Sequence, residues 1–261
     1  MINFSAIPLK SFMGRILRLF LHLIPSTMVV PILQGRLKGE KWIVGSSNHG
    51  CWIGSYEHEK QILFSEIVTE GAVVYDIGAH VGFYTLLASE IVGQRGKVIA
   101  FEPLPQNLHY LNEHLLLNKC DNVKVIETAV AEESGTAFFT EGISSSMGYL
   151  SLAGNIEVKK VALDELMLSG KIPPPEYLKI DVEGAEILVL SGAKSLLVRY
   201  HPVIFLATHG FEVHRQCCEF LSSIGYELQS INEKNIDETD EIIAFKNREL
   251  IKDKGGVKKD G

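Results

Sequence analysis

Hydrophobic positions along the chain alternate between two spacings, and this alternation predicts strands and helices in turn. Short runs rich in apolar and β-branched residues are typical of buried strands, and they occupy residues 72–75, 97–101, 122–126, 177–180 and 202–206. Elsewhere, apolar side chains recur every three or four residues, which is the spacing of one helix face. Segments of this kind occupy residues 59–68, 83–92, 105–118, 184–193 and 213–223.

The alternation predicts an α/β fold with a doubly wound, mostly parallel sheet of seven strands, Rossmann-like in arrangement. The five apolar runs supply five of these strands. A hairpin-like pair at 226–230 and 241–245 supplies the other two. Two further β-like pieces, at 136–139 and 156–161, form a β insertion before the fourth core strand.

A glycine-rich turn after the first core strand is the most informative motif. The segment 76–82, Asp-Ile-Gly-Ala-His-Val-Gly, joins this strand to a helix, an arrangement that builds a nucleotide-type pocket. A dinucleotide fingerprint carries glycine where Asp76 stands, and a carboxylate there would repel a pyrophosphate. It would attract the ammonium and sulfonium of S-adenosylmethionine. We therefore predict that this cofactor is bound by Asp76, Gly78, Ala79, His80 and Gly82.

A second acid supports this cofactor. Glu102 ends the second core strand, 20 residues beyond Gly82, where a carboxylate can accept hydrogen bonds from both ribose hydroxyls. The glycines alone are a weak signal, whereas the order strand, turn, helix, strand and acid is a stronger one. Two other interpretations stay open. One is a βαβ unit whose glycines only permit tight packing, and the other is a nicotinamide-dependent oxidoreductase.

Three segments carry a resemblance to a known family. Residues 74–85, 100–103 and, most specifically, 178–186 are similar to the FkbM family of class I, S-adenosylmethionine-dependent methyltransferases. The resemblance covers roughly residues 42–245. It implies the class I strand order with one reversed strand at an edge. It also implies methyl transfer to a hydroxyl of a sugar or glycan precursor, or of another secondary metabolite.

The resemblance also marks residues outside the glycine turn. It implies that Tyr56 and Glu57, in a predicted loop at 50–57, line the cofactor pocket, although aromatic residues in loops more often serve packing. Two positions depart from the family pattern. His80 stands where many members have asparagine, and Ala207 stands where relatives often have glutamate. The missing acid raises a second hypothesis, a binding module that keeps the cofactor with weak or no catalysis.

Candidate catalytic residues follow the core strands, because parallel strands bring their carboxyl ends to one edge of the sheet. Asp181 and Glu183 follow the fourth strand, and His209 follows the fifth. Methyl transfer is an in-line displacement in which a base removes the hydroxyl proton. The ordinary pKa of His209 suits this base. Asp181 is its rival, either as base or as anchor for the cofactor's amino group, and hydrogen-bonded structural roles remain the alternative.

A divalent metal is possible but is not indicated by the sequence. Asp181, Glu183 and an acceptor diol could hold a hard cation through oxygen atoms. No full ligand set is evident, so we assign no metal ligand from the sequence. A Ser/Gly stretch at 142–148 is either a plain connection or a lid over the cofactor or acceptor.

Composition and charge limit the classes of molecule that this protein is expected to bind. Hydrophobic residues make up 46% of the 261 residues, which is ample for a large core. The formal net charge of −7 disfavours nucleic acid, so we expect a small-molecule or glycan acceptor. The cysteines form neither a disulfide framework nor a zinc pattern, which favours a reducing, cytoplasmic compartment. They are Cys51, Cys120, Cys217 and Cys218.

The chain divides into an N-terminal extension of helix and strand packed on the core, a core domain and a flexible tail, at residues 1–70, 71–248 and 249–261. The apolar stretch 15–24 is too short for a transmembrane span. It is either a helix packed on the domain or on a second subunit, or a surface contact with a membrane through Lys10, Arg15 and Arg18. Peripheral membrane association and homo-oligomerisation therefore stay open.

Overall fold

The computed structural model describes residues 21, 24–140, 149–150, 156–232 and 234–247. Its strands are β1 (Val29–Pro31), β2 (Lys41–Ile43), β3 (Val73–Ile77), β4 (Lys97–Phe101), β5 (Val123–Ile126), β6 (Ala129–Val130), β7 (Gly135–Thr140), β8 (Tyr149–Leu150), β9 (Ile156–Val161), β10 (Tyr177–Ile180), β11 (Val203–Ala207), β12 (Glu227–Ser230) and β13 (Glu241–Phe245). Its helices are α1 (His49–Ile53), α2 (His58–Ile67), α3 (Phe83–Val92), α4 (Pro105–Asn118), α5 (Leu163–Leu168), α6 (Glu186–Ser191), α7 (Lys194–Tyr200) and α8 (Phe211–Ser223), with a 3₁₀ helix at Val44–Ser46.

The central sheet has the strand order β12-β13-β11-β10-β3-β4-β5. Neighbouring strands from β11 to β5 are parallel, whereas β13 runs antiparallel to both β11 and β12. The predicted seven-stranded, doubly wound sheet is therefore confirmed. The reversed strand lies one place in from the edge, because β12 takes the edge position. A second sheet, β6-β9-β7-β8, is the β insertion that precedes β10.

Two apolar layers cover the two faces of the central sheet, because side chains alternate along each strand. On one face, Val74 and Phe205 belong to the cluster that includes α2 and α3. On the other, Tyr75 and Leu206 belong to the cluster that includes α6, α7 and α8. Each such side chain contributes roughly 1.5–3 kcal/mol through burial. The carboxyl ends of these strands are therefore fixed by the packed core beneath them.

The described part of the N-terminal extension packs on the core through Trp42. This fully buried side chain stacks on His114 of α4 at 3.9 Å between ring centroids and meets the edge of Phe83. The prediction of a loop at 50–57 is wrong over its first residues, because α1 occupies them. Asn48 caps this short helix by accepting a hydrogen bond from the Gly50 amide.

Several predictions fall on residues outside the described part of the chain. They concern the candidate lid at 142–148, the tail at 249–261 and most of the stretch 15–24. Within the described ranges, no helix combines the length and apolar character needed to cross a bilayer.

His114 joins the extension to the core as a neutral imidazole. Its Nε2 accepts a 3.1 Å hydrogen bond from the Ile43 amide, so Nδ1 carries the proton and donates to the Val81 carbonyl at 2.8 Å. Burial lowers the pKa of His114 from 6.5 to about 4, although the Val81 carbonyl opposes this effect. The folded protein therefore resists protonation at this position.

We expect this histidine to make the protein less stable at pH 5 than at pH 7. The unfolded chain takes up a proton near pH 6.5 and the folded chain only near pH 4, so acid favours unfolding within this window. The contribution to the free energy of unfolding should fall by about 2 kcal/mol between pH 7 and pH 5. Urea denaturation at both pH values should show a smaller loss for His114→Gln. An equal loss would contradict the assignment.

Candidate active site

An open cleft lies at the carboxyl ends of β3, β4 and β10. It encloses about 960 Å³ of empty space, its mouth included, a size that suits a nucleoside cofactor together with a small acceptor. Its lining contains many of the predicted site residues, namely Tyr56, Gly78, Ala79, His80, Glu102, Asp181 and Glu183. Four others are not part of the lining, namely Glu57, Asp76, Gly82 and His209.

The glycine turn forms one wall of the cleft. Gly78 has a φ of +79°, and a Cβ at this position would overlap the carbonyl oxygen of Asp181. Gly82, with a φ of +95°, precedes α3, and a Cβ there would lie 2.6 Å from the Leu111 side chain. The positive φ favours glycine at both ends of the turn, and the close approach of a backbone oxygen also excludes any side chain at Gly78.

Replacing Gly78 by alanine should lower the free energy of unfolding by about 2–5 kcal/mol, because backbone strain and steric overlap add. Gly170 is a matched control. Its φ is +66°, but no atom lies within 4 Å of the place that an added methyl group would take. Gly170→Ala should therefore cost about 1–2 kcal/mol, which is the strain alone. Urea unfolding measures both variants, and equal losses would contradict the close approach at Gly78.

Glu102 joins the glycine turn to the start of α4. Its Oε2 accepts a 2.9 Å hydrogen bond from the His80 amide. Its Oε1 accepts hydrogen bonds from the Leu104 amide at 2.9 Å and the Asn107 side chain at 3.1 Å. Burial raises the pKa of Glu102, and these donors partly offset that effect. Each carboxylate oxygen has two lone pairs, so Oε2 keeps the capacity to accept a ribose hydroxyl.

Asp76 lies beneath the cleft rather than in its wall. It is directly paired with Lys179 on the neighbouring strand, so both side chains project from one face of the sheet. Its Oδ1 lies 3.3 Å from the Lys179 Nζ, and its Oδ2 accepts a 2.6 Å hydrogen bond from the Thr85 hydroxyl. A cofactor ammonium would have to share this carboxylate with Lys179. Direct contact between Asp76 and the cofactor stays a prediction.

Asp181 connects two buried lysines to the cleft. Its Oδ2 lies 3.7 Å from the Lys179 Nζ and 3.9 Å from the Lys60 Nζ. Burial alone would raise the pKa of Asp181, but Lys179 and Lys60 hold it below its usual value. Burial alone would likewise lower the pKa of Lys179, but Asp76 and Asp181 raise it. Asp181 and Lys179 are therefore charged at neutral pH.

Carboxylates outnumber cations at this end of the cleft. The residues that contact one another are Glu57, Asp76, Asp181, Glu183, Glu186 and Glu241 around Lys60, Lys179 and His209. Burial raises the pKa of Glu241 to about 7. Without Glu241, five carboxylates still surround three cationic side chains, and this excess favours a positively charged ligand. Glu57 does not line the cleft but adds to the charge of this cluster, since its carboxylate lies 2.8 Å from the Lys60 Nζ.

His209 lies behind the wall that Asp181 and Glu183 form. The His209 Nδ1 is 2.8 Å from the Glu186 Oε1, and this hydrogen bond, with the charges of Glu183 and Asp181, raises the pKa of His209 to about 9 against the effect of burial. An imidazole with this pKa is protonated at neutral pH. The arrangement therefore disfavours the role of base that the ordinary pKa of histidine predicts.

Two lining residues hold conformations that side chains rarely adopt. His80 and Glu183 have φ values of 52° and 54°, which cost about 1–2 kcal/mol each outside glycine. Such strain gathers at functional sites. The buried His80 Nε2 and Thr128 Oγ1 also lack hydrogen-bond partners among the described residues. Buried polar atoms normally have partners, so these two atoms fit a cleft that receives a polar ligand.

Sequence reasoning missed four charged residues of the site. Lys179 carried a signal, because it is the one charged residue in the apolar run 177–180. Glu186 lies within the segment most similar to the FkbM family. Lys60 and Glu241 carried no local signal, since they lie on α2 and β13 and are 181 residues apart in the sequence.

Comparisons with known proteins agree with this geometry. The family model of the methyltransferase FkbM domain matches residues 76–245. The hexuronic acid methyltransferase AglP of Haloferax volcanii is 29% identical over 145 residues, which are 54% of this chain and 58% of AglP. The chain thus matches little more than half the length of this relative.

A solved structure has a similar fold. The crystal structure of methyltransferase FkbM from Methylobacillus flagellatus KT matches with a TM-score of 0.51 at 18% identity, over 67% of this chain and 43% of that chain. The domain match from residue 76 to residue 245 extends over more than half of the sequence and contains the glycine turn, Glu102, Asp181 and His209. The chain therefore belongs to the FkbM family of methyltransferases.

Proposed function

We propose that this protein transfers the methyl group of S-adenosylmethionine to a hydroxyl oxygen of a sugar, with a hexuronic acid as the first acceptor to test. The observation that carries the proposal is the division of the cleft into two chemically different ends. One end offers Glu102 and apolar side chains, and the other offers the excess of carboxylates around Asp181.

The end at Glu102 suits an adenosine. The remaining lone pair of the Glu102 Oε2 can accept a hydrogen bond from a ribose hydroxyl, as an acid at the tip of a second strand does in nucleotide-binding sheets. Phe101, Leu104 and Val130 line the same part of the cleft and offer apolar surface to the adenine. Asn107 is held by Glu102 and is available as a further polar contact.

The end at Asp181 suits the methionine part. A sulfonium and an ammonium carry positive charge into a region where carboxylates outnumber cations, so the attraction favours the donor over its neutral product. S-adenosylmethionine supplies an activated methyl group, whose bond to sulfur breaks as the bond to oxygen forms. Asp181 and Glu183 line this wall, and the proposal gives them hydrogen bonds to the attacking hydroxyl. Tyr56 and Tyr84 also line the cleft, and the Tyr84 ring centroid lies 5.4 Å from the Lys60 Nζ and 5.5 Å from the Lys179 Nζ.

The missing acid at Ala207 does not favour the second hypothesis, a binding module without catalysis. Ala207 is directly paired with Glu241 on β13, so the two side chains share one face of the sheet. The Glu241 Oε1 lies 2.8 Å from the Lys60 Nζ. The neighbouring strand therefore supplies a carboxylate close to the position where relatives often carry one. No contact of the described residues favours the nicotinamide alternative.

Product analysis tests the proposed function. The protein should be incubated with methyl-labelled S-adenosylmethionine and either hexuronic acids or the matching neutral hexoses, free and as glycosides. Mass spectrometry should detect one added methyl group on a hydroxyl of a sugar acceptor, and boiled protein should yield none. Labelled product on nitrogen or carbon acceptors alone would contradict oxygen transfer. Methylation of neutral hexoses alone would contradict the acidic acceptor.

A further inference from the structure

Three potential metal ligands meet where His209 approaches the wall of the cleft that Asp181 and Glu183 form. Asp181, Glu183 and His209 each offer one ligand atom, and these atoms lie within 4.8 Å of one another. The His209 Nε2 is 3.8 Å from the Asp181 Oδ1 and 3.5 Å from the Glu183 Oε2. Ligands about 2.1–2.4 Å from an ion, at right angles to each other, lie about 3.0–3.4 Å apart. The two separations from the His209 Nε2 therefore exceed this range by less than 1 Å, and the Asp181 and Glu183 oxygens lie no more than 4.8 Å apart.

Glu186 supports this cluster from the protein interior. Its side chain is fully buried, and its Oε1 contacts both the His209 Nδ1 at 2.8 Å and the Gly184 amide at 2.9 Å. The Oε2 has no hydrogen-bond partner in the part of the chain that the structure describes. The bond to Nδ1 directs Nε2 towards Asp181 and Glu183. A carboxylate behind a histidine that faces other ligands is the usual support of a protein metal site.

The charges of the wall give an independent reason for a cation. A buried carboxylate with an unpartnered oxygen is costly unless positive charge lies nearby. An anionic acceptor such as a hexuronic acid, which rests on the proposed function, would meet like charge here. A divalent ion between the wall and the acceptor removes that repulsion.

We propose that Asp181, Glu183 and His209 bind one divalent cation, with Glu186 as the positioning residue, and that the cation takes acceptor oxygens at its remaining positions. Two carboxylates and one imidazole, which gives up its Nε2 proton to water when the ion binds, suit Mn²⁺ and similar first-row ions. A hydroxyl bound to the cation becomes more acidic and releases its proton to water at the open mouth of the cleft. Its oxygen then bonds to the methyl carbon, while the electron pair of the broken carbon–sulfur bond stays on sulfur.

Manganese binding tests the site directly. The protein, freed of metal with a chelator and dialysed, should be titrated with Mn²⁺ while electron paramagnetic resonance follows the free ion. We expect one bound Mn²⁺ per chain, with spin-echo modulation from an imidazole nitrogen that disappears in His209→Gln. Asp181→Asn and Glu183→Gln should each lose binding more than 100-fold. Glu186→Gln should weaken it about 10–100-fold, the effect of losing a supporting carboxylate.

Matched controls distinguish Mn²⁺ binding at this site from binding elsewhere on the protein and from loss of folding. His109→Ala, which removes an exposed histidine elsewhere on the protein, should bind Mn²⁺ like the wild type, and circular dichroism should show all variants folded. The proposal is overturned if no Mn²⁺ binds at about 1 mM, the weak end for protein sites. It is also overturned if binding survives in Asp181→Asn, Glu183→Gln and His209→Gln.

Calorimetry with S-adenosylhomocysteine in chelator distinguishes this proposal from the proposed function. Binding of S-adenosylhomocysteine without any Mn²⁺ site would reject the cation and keep the cofactor. Mn²⁺ binding without affinity for S-adenosylhomocysteine would reject the proposed function and keep the cation site.

Discussion

Replacing Asp181 by asparagine is expected to lower kcat/KM for methyl transfer by about 10²–10⁴-fold. Asp181 lines the cleft and lies 3.7 Å from Lys179 and 3.9 Å from Lys60. When the charge of Asp181 is removed, Lys179 and Lys60 lose the carboxylate that they share. A cationic donor would then be repelled by both lysines. Two unit charges about 4 Å apart near a protein surface interact by about 4 kcal/mol, so the loss of this one charge accounts for the range. Steady-state kinetics with a labelled methyl donor measure the effect.

Two controls make the result specific to Asp181. Asp121→Asn removes an exposed carboxylate outside the site and should leave kcat/KM unchanged. Urea unfolding of Asp181→Asn separates lost activity from lost folding, because the folded fraction can be measured at the assay temperature. Activity within a few-fold of the wild type in folded Asp181→Asn would contradict the role given to this residue.

The second large effect is expected at Glu102. Glu102→Gln should weaken S-adenosylhomocysteine binding by about 10²-fold or more, since both carboxylate oxygens accept hydrogen bonds from backbone amides. A glutamine must point its amide nitrogen at one of these donors. It also loses the charge-assisted bond to a ribose hydroxyl. Isothermal titration calorimetry measures the change in affinity.

Ribose recognition can be separated from damage to the turn. Wild-type protein should bind adenosine more tightly than 2′-deoxyadenosine, and Glu102→Gln should lose most of this preference. A general distortion of the turn would weaken both ligands equally and leave their ratio unchanged. Retention of the full preference in Glu102→Gln would contradict the contact between Glu102 and the ribose.

The long, periodic elements could be predicted from the sequence, and the short ones could not. Strands such as β10 and β11 are buried on both faces and therefore read as apolar runs. The single helix predicted at 184–193 instead ends at Gly192, where a Cβ would overlap the Ala131 carbonyl oxygen, and α7 follows. Asp164 accepts hydrogen bonds from the first amides of α7. Such contacts join distant residues and leave no local period.

The residues of the candidate site also fall into two groups, those that could be predicted from the sequence and those that could not. Glu102, Asp181 and Glu183 could be placed in the cleft because parallel strands bring their carboxyl ends together. The pairing of Asp76 with Lys179 depends on the register between two strands that are distant in sequence, which the sequence does not specify locally. The raised pKa of His209 depends on Glu186 in a different element. Positions at strand ends are therefore predictable, whereas their charge partners are not.

A crystal structure with S-adenosylhomocysteine tests the central claim most directly, which is that the two ends of the cleft order the two ends of the cofactor. The ribose should lie on Glu102 and the homocysteine beside Asp181, with the sulfur facing the wall that Glu183 shares. A ligand bound in the reverse direction, or outside the cleft, would contradict the account.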